Sequence, residues 1–249
     1  MRINRFLASS GVASRRKSEV LVTSGKVSVN GETVTNLSTD INPEKDVVKL
    51  NGKVIKLKEK KVYYMLNKPA DVISAAMSTR GEKTALDYID TENRRLFPVG
   101  RLDKDTEGLI FITDDGDFSY IMTHPKFEKE KQYIALLTGS VDDRDLKKLS
   151  KGVLLDDVRV GAKKIRLLKR INGDSLIEIT ITEGRNRQIR RMCEIIGHPV
   201  KTLKRTKEAG ISLGELGVGE YRELTPDEVA KCMSRAKKPV KRGERKPEK

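Results

Sequence analysis

The 249-residue chain holds 51 Lys and Arg against 36 Asp and Glu, a formal charge of +15 with a pI near 9.7, which points to a polyanionic partner, nucleic acid before a membrane surface. No stretch approaches the ~20 apolar residues of a membrane span and no signal peptide precedes the core, so a cytoplasmic protein is expected. Cys193 and Cys232 stand far apart without a CxxC pair, His124 and His198 are isolated, and no GxxxxGK[ST] loop occurs, which argues against a zinc site, a disulfide framework or nucleotide hydrolysis.

In chain order, Ile3, Phe6 and Leu7 fall at helical spacing and Gly11 can end that helix. Ser14 reads as the N-cap of a second helix, which carries Glu19, Val20 and Leu21 and ends at Gly25. The following KVSVNGETV alternates by two around Asn30-Gly31, a strong hairpin signal. Arg2, Arg5, Arg15, Arg16 and Lys17 crowd this small unit, with Lys26 just beyond, while Glu19 alone opposes them in the two helices. So one-signed a cluster on a compact unit favours phosphate contact over a merely solvated face.

A lysine-rich joint, Lys56 to Val62, separates this unit from a longer segment in which short β-like runs (VYYML, LIFITD, QYIALLTG, SLIEITIT) alternate with helical pieces near 117–122, 143–149 and 187–196. That pattern predicts an α+β domain on a large mixed or antiparallel sheet. Within it, DKDTEGLIFITD (103–114) has acidic residues at the spacing of a calcium loop. A calcium loop needs flanking helices and a Glu at its last position, whereas Pro98 and Gly100 precede it, an Asp closes it, and Leu109 to Thr113 reads as a buried strand. The tail SRAKKPVKRGERKPEK has almost no apolar residues and is expected to be disordered.

Two resemblances organise these readings. RINRFLASSGVASRRKSE with the GKVSVNG hairpin resembles the S4 RNA-binding domain over roughly residues 1–60. The stretches NKPADVISA, PVGRLDKDTEGLIFITDDGD, THPKFEKEKQYIA and EGRNRQIRRMCEIIGHPVKTLKR, in that order, resemble the S4-domain-containing pseudouridine synthases that modify ribosomal RNA. The resemblance implies an α+β protein: a small N-terminal S4 (α-L) domain, a catalytic domain over 61–233 on a mixed, mainly antiparallel sheet with flanking helices, and a basic tail over 234–249.

It also implies an enzyme that needs no cofactor and works as a monomer. Such an enzyme isomerises uridines of ribosomal RNA, or of a ribosome assembly intermediate, to pseudouridine. The wording RNRQIRRM and GHPVKTLKR leans to the large-subunit (23S) enzymes over the small-subunit (16S) ones. A noncatalytic S4-type assembly factor is the rival from another class, with no reason to keep the whole catalytic set.

In that set Asp103 matches the family's catalytic aspartate, Tyr133 the active-site tyrosine of its KxY motif, and Arg190 of RQIR the basic residue that pairs with the aspartate. Enzymes that act on a base within structured RNA must extrude it. Arg101 is expected to fill the vacated stack, Ile189 to floor the cavity, and Lys104 to join the S4 basic residues on the RNA backbone. Asp105 and Glu107 are read as structural, Asp105 as fixing the turn. Two departures stand out: Asp71 occupies a position usually held by glycine, which puts the local loop geometry in question, and Cys193 stands where a larger apolar residue is common.

Overall fold

The computed structural model describes residues 1–58, 60–91 and 94–234; the tail expected to be disordered lies, beyond Ser234, outside the described residues. Helix α1 (Ile3–Ser9) is followed by Gly11 at φ +82°, and α2 (Arg15–Thr23) starts from Ser14, whose hydroxyl accepts from the Lys17 amide at 3.2 Å. Strands β1 (Val27–Val29) and β2 (Glu32–Val34) form the expected hairpin, with Asn30 and Gly31 both left-handed, as a type I′ turn requires. Asn51-Gly52 repeats the device between β3 (Val48–Leu50) and β4 (Lys53–Ile55), a second hairpin that the alternation around Val48 to Ile55 could have signalled. The sheet order is β2-β1-β3-β4, and Ile3, Phe6, Leu7, Val22, Val27, Ile41 and Val48 close a core of their own beneath it.

The lysine-rich joint is stitched to both sides. Lys61 Nζ donates to the Ser9 carbonyl at 3.1 Å, and the buried Val62 donates its amide to Asp114 at 3.1 Å. Strands β5 (Tyr63–Lys68), β6 (Phe97–Val99) and β7 (Glu107–Thr113) follow, then α3 (Gly116–Thr123), β8 (Lys131–Leu137) and α4 (Asp143–Lys151). The hairpin β9 (Val153–Leu155) and β10 (Val158–Val160) precedes β11 (Lys164–Ile171), β12 (Asp174–Ile181) and α5 (Gln188–Ile195). β13 (Val200–Glu208), β14 (Ile211–Ser212), β15 (Tyr221–Glu223) and α6 (Pro226–Met233) complete the described chain.

These strands form one mixed sheet of order β11-β12-β8-β13-β7-β5-β15, with β14 on β13 and β6 on β7. All its pairings are antiparallel except β13 with β7. Period-two alternation splits the burial between two cores. Leu66, Ile110 and Ile112 face one with Ala135, Ile177 and Met192, while Met65, Leu109 and Phe111 face the other with Phe118 and Met122. Strand β7 is therefore buried on both faces and rigid, and the turn that precedes it inherits that rigidity. The calcium-loop geometry is absent because β7 begins at Glu107, inside the acidic stretch, and β6 rather than a helix leads into it.

Asp71 answers the question raised by its departure from glycine. It adopts φ +61° and donates its amide to the Lys104 carbonyl at 2.8 Å. The left-handed backbone that glycine would supply is thus kept by an aspartate, one of the few side chains that tolerates it. Cys193 is fully buried on the inner face of α5, and burial pushes its thiol up to about 12, which leaves it a packing residue and an unreactive one.

Candidate active site

Asp103 sits half-buried in the turn between β6 and β7, closed by the Thr106 amide donating to the Asp103 carbonyl at 3.0 Å. Two anchors hold the turn. Ser74 Oγ donates to the Leu102 carbonyl and accepts from the Leu102 amide, both at 2.9 Å. The fully buried Lys68 ammonium donates to the Pro69 and Val72 carbonyls at 2.7 Å each and to the Lys104 carbonyl at 3.4 Å. No described residue hydrogen-bonds the Asp103 carboxylate, which faces a cavity of about 590 Å³.

Tyr133 on β8 and Ile189 on α5 line that cavity, with Leu102, Ile181 and Leu203 adding apolar wall. Arg205 on β13, only 1% exposed, comes in beside Tyr133. Its Nε donates to the Leu109 carbonyl at 2.7 Å, its Nη1 lies 3.5 Å from the Tyr133 hydroxyl, and its guanidinium carbon is 6.0 Å from the ring centroid. Glu208 balances the charge from 3.1 Å, but not in hydrogen-bonding geometry, so Arg205 Nη2 and Glu208 Oε2 keep unused hydrogen-bonding capacity at the cavity.

The structure corrects one expected pairing. Arg190 does not reach Asp103; its guanidinium donates to the Asp105 carbonyl at 2.9 Å and lies 3.3 Å from the Asp105 carboxylate and 3.4 Å from Thr106 Oγ1. Arg187, three residues earlier, grips the same carboxylate at 3.2 Å. Arg187, the left-handed N-cap residue of α5, and Arg190, in its first turn, converge on Asp105, so they brace the turn behind Asp103, while Arg205 is the buried cation beside Tyr133. The expected role of Asp105 in fixing the turn agrees with these contacts. Arg205 stands at the end of the GHPVKTLKR stretch, and its period-two relation to the inward Leu203 was the signal that could have found it. Lys68 likewise stands in NKPADVISA.

Arg101 is exposed, lines the cavity and pairs with neither Asp105 nor Glu107. Lys104 is exposed too, 3.3 Å from Glu82. Among the S4 residues, Arg15, Arg16, Lys17 and Lys26 point to solvent without an ion pair to any described residue. Arg2 and Arg5, expected on the RNA backbone with them, also pair within the protein. Arg2 donates to the Ser38 carbonyl and lies 3.2 Å from Asp40, and Arg5 grips both oxygens of Asp117 on α3 at 2.5 and 2.6 Å. Their charges are already met by nearby carboxylates.

The sequence profile described as RNA pseudouridylate synthase matches residues 62–195, and that of the S4 domain residues 1–48. The chain belongs to the RNA pseudouridylate synthase family. The Ribosomal large subunit pseudouridine synthase B of Bacillus subtilis (strain 168) is 42% identical over 94% of this chain and 96% of its own. The Dual-specificity RNA pseudouridine synthase RluF of Escherichia coli (strain K12) is 36% identical over 92% of this chain and 77% of its own. A crystal structure of a pseudouridylate synthase, 32% identical, superposes with a TM-score of 0.65 over 93% of this chain and 99% of that one.

This synthase therefore offers an apolar slot with an aromatic wall, a carboxylate at one side and a rim that includes Arg101, Arg185, Arg187 and Lys131. Burial pushes the Tyr133 phenol above its ordinary value against the opposing pull of Arg205, so Tyr133 presents a neutral ring to a planar base. Among the described residues no group of three or more His, Cys, Asp and Glu could hold a metal ion, and no helix is long and apolar enough to cross a membrane.

Lys68 provides a pH signature of the architecture beneath Asp103. Burial pulls its ammonium from 10.5 down to about 8, against the attraction of Asp105, Glu107, Asp71 and Asp103. Below pH 8 the charge is buried in the native state and solvated in the unfolded chain, so the full penalty is present. Between 8 and 10.5 the unfolded chain keeps a proton that the native state has released, and stability rises with pH by up to about 1.4 kcal/mol per unit. In urea titrations the wild type should gain on Lys68→Met between about pH 7.5 and about pH 9.5. A constant gap would mean that Lys68 titrates normally.

Proposed function

We propose that the chain isomerises one or a few uridines of large-subunit ribosomal RNA, with Asp103 as the anionic nucleophile or base. The observation that carries this reading is the convergence of Asp103, Tyr133, Ile189 and buried Arg205 on one cavity, in a chain 42% identical over 94% of its length to a protein named for the large subunit. The target nucleotide swings out of its stack, its uracil lies against Tyr133, and Arg101 takes the vacated place. Isomerisation exchanges the bond from ribose C1′ to uracil N1 for one to C5; the C5 proton is released to water and N1 takes up a proton in its place. Arg205, balanced by Glu208, offers donors to a uracil carbonyl while the charge shifts.

In this reading residues 1–60 position the RNA, residues 61–233 carry the chemistry, and the basic tail over 234–249 adds sequence-independent attraction. The protein works as a monomer, and a ribosomal RNA substrate places that work in the cytoplasm. Tritium release from transcripts labelled at uracil C5 tests the choice of RNA: release from 23S and none from 16S is expected, and the reverse would overturn the large-subunit assignment.

The division of labour has its own test. Replacing Arg15, Arg16 and Lys17 together by alanine should weaken RNA binding and lower the log-log dependence of affinity on salt by about 0.7 to 0.9 for each phosphate no longer neutralised. Single-turnover conversion at saturating RNA should stay near the wild-type rate. An unchanged affinity and slope would make the S4 face a solvated surface.

A further inference from the structure

Helix α3 links the two ends of the molecule that handle RNA. At its start Asp117 is held by Arg5 of the S4 unit; at its end Thr123, His124 and Pro125 form part of the cavity wall. On the same face, three residues after Asp117, stands Tyr120, 46% exposed, whose hydroxyl has no hydrogen bond among the described residues. Its ring lies 4.9 Å from that of His124, 5.7 Å from the buried Phe127, and 4.8 Å beneath the Lys126 ammonium, which also covers Phe127 at 4.8 Å. The His124 Nδ1 accepts from the Lys126 amide at 3.2 Å, which in the neutral ring leaves the proton on Nε2.

We propose that Tyr120, with His124 and Lys126, is a second RNA-binding site of this protein: a stacking platform for an unpaired base on the strand between the S4 unit and the catalytic cavity. It rests on the reading of the chain as an enzyme acting on RNA, and adds a contact outside the catalytic set. Aromatic faces flanked by cations bind single-stranded nucleic acid through stacking and phosphate attraction together. Arg5 neutralises Asp117, a carboxylate that would otherwise repel a phosphate here, and Lys126 brings a positive charge over the Tyr120 ring. From Asp117 to His124 the helix advances about 10 Å, a distance that one or two nucleotides bridge. A base that stacks on Tyr120 displaces the Lys126 ammonium, which then meets the adjoining phosphate.

The probe is a single-stranded oligouridylate bearing one 2-aminopurine, whose fluorescence falls on stacking. Tyr120→Leu keeps an apolar cover over Phe127 but no flat face, so its affinity should fall by about 5- to 150-fold with the salt dependence unchanged, and quenching should vanish. Tyr120→Phe should stay within about twofold of wild type. Lys126→Met should lower the salt slope by about 0.7, the effect of one phosphate fewer neutralised on a single strand. Wild-type affinity and quenching in Tyr120→Leu, or a wild-type slope in Lys126→Met, would overturn the platform while leaving the enzyme reading intact. If the wild-type protein failed to bind the oligonucleotide at all, the platform would fall, while the enzyme reading stands or falls on the tritium release from 23S transcripts.

Discussion

Asp103→Asn should abolish isomerisation, by about 10³-fold or more, the scale on which a positioned acid-base group acts, while RNA affinity stays within about twofold because phosphate contacts come from Lys and Arg elsewhere. The turn that holds Asp103 is fixed through its backbone and neighbours: Ser74 on Leu102, Lys68 on the Lys104 carbonyl, and Arg187 and Arg190 on Asp105. None of these contacts uses the Asp103 carboxylate, so the asparagine variant should fold as the wild type does. Tritium release and filter binding on the same preparation separate the two effects. Turnover near wild type would remove Asp103 from the mechanism; a joint loss of affinity and turnover would make its role one of binding.

Gly108→Ala should unfold or severely destabilise the protein, at a cost of about 3 kcal/mol or more. Gly108 adopts φ +108°, and a Cβ there would stand 2.2 Å from the Arg205 carbonyl oxygen and 2.7 Å from its amide nitrogen. The collision is with backbone, because β7 and β13 pair in parallel with Arg205 directly opposite Gly108. No side-chain rotation relieves it; the strands must separate, and with them the Asp103 turn moves away from Arg205. Gly116→Ala, at the start of α3 with open space around it, serves as the control and should shift the urea midpoint little. A Gly108→Ala midpoint equal to wild type would show that the parallel pairing is looser than its register implies.

Local features were the readable ones. Ser14 announced α2, Asn30-Gly31 the hairpin, and the apolar run after Glu107 the buried strand, because capping, turn chemistry and alternation act within a few residues. The position of Asp103 at the head of a rigid strand followed from the same run. What escaped depends on register between distant strands. Arg205 reaches Tyr133 across 72 residues only because β13 pairs with β8 on one side and β7 on the other. The same pairings carry α5 to where Arg190 meets Asp105 and not Asp103. Lys68 looked like one lysine among many, and its burial becomes visible only when β5 lies against β7. Arg5 read as part of the basic cluster expected on RNA, and a carboxylate 112 residues away holds it.

Pseudouridine mapping of ribosomal RNA from cells lacking the gene, and from the same cells carrying the wild-type or the Asp103→Asn protein, tests the account at its centre. At least one 23S uridine should lose its pseudouridine in the deletion, regain it with the wild type and stay unmodified with Asp103→Asn. An unchanged 23S map in the deletion, or restoration by the asparagine variant, would contradict it.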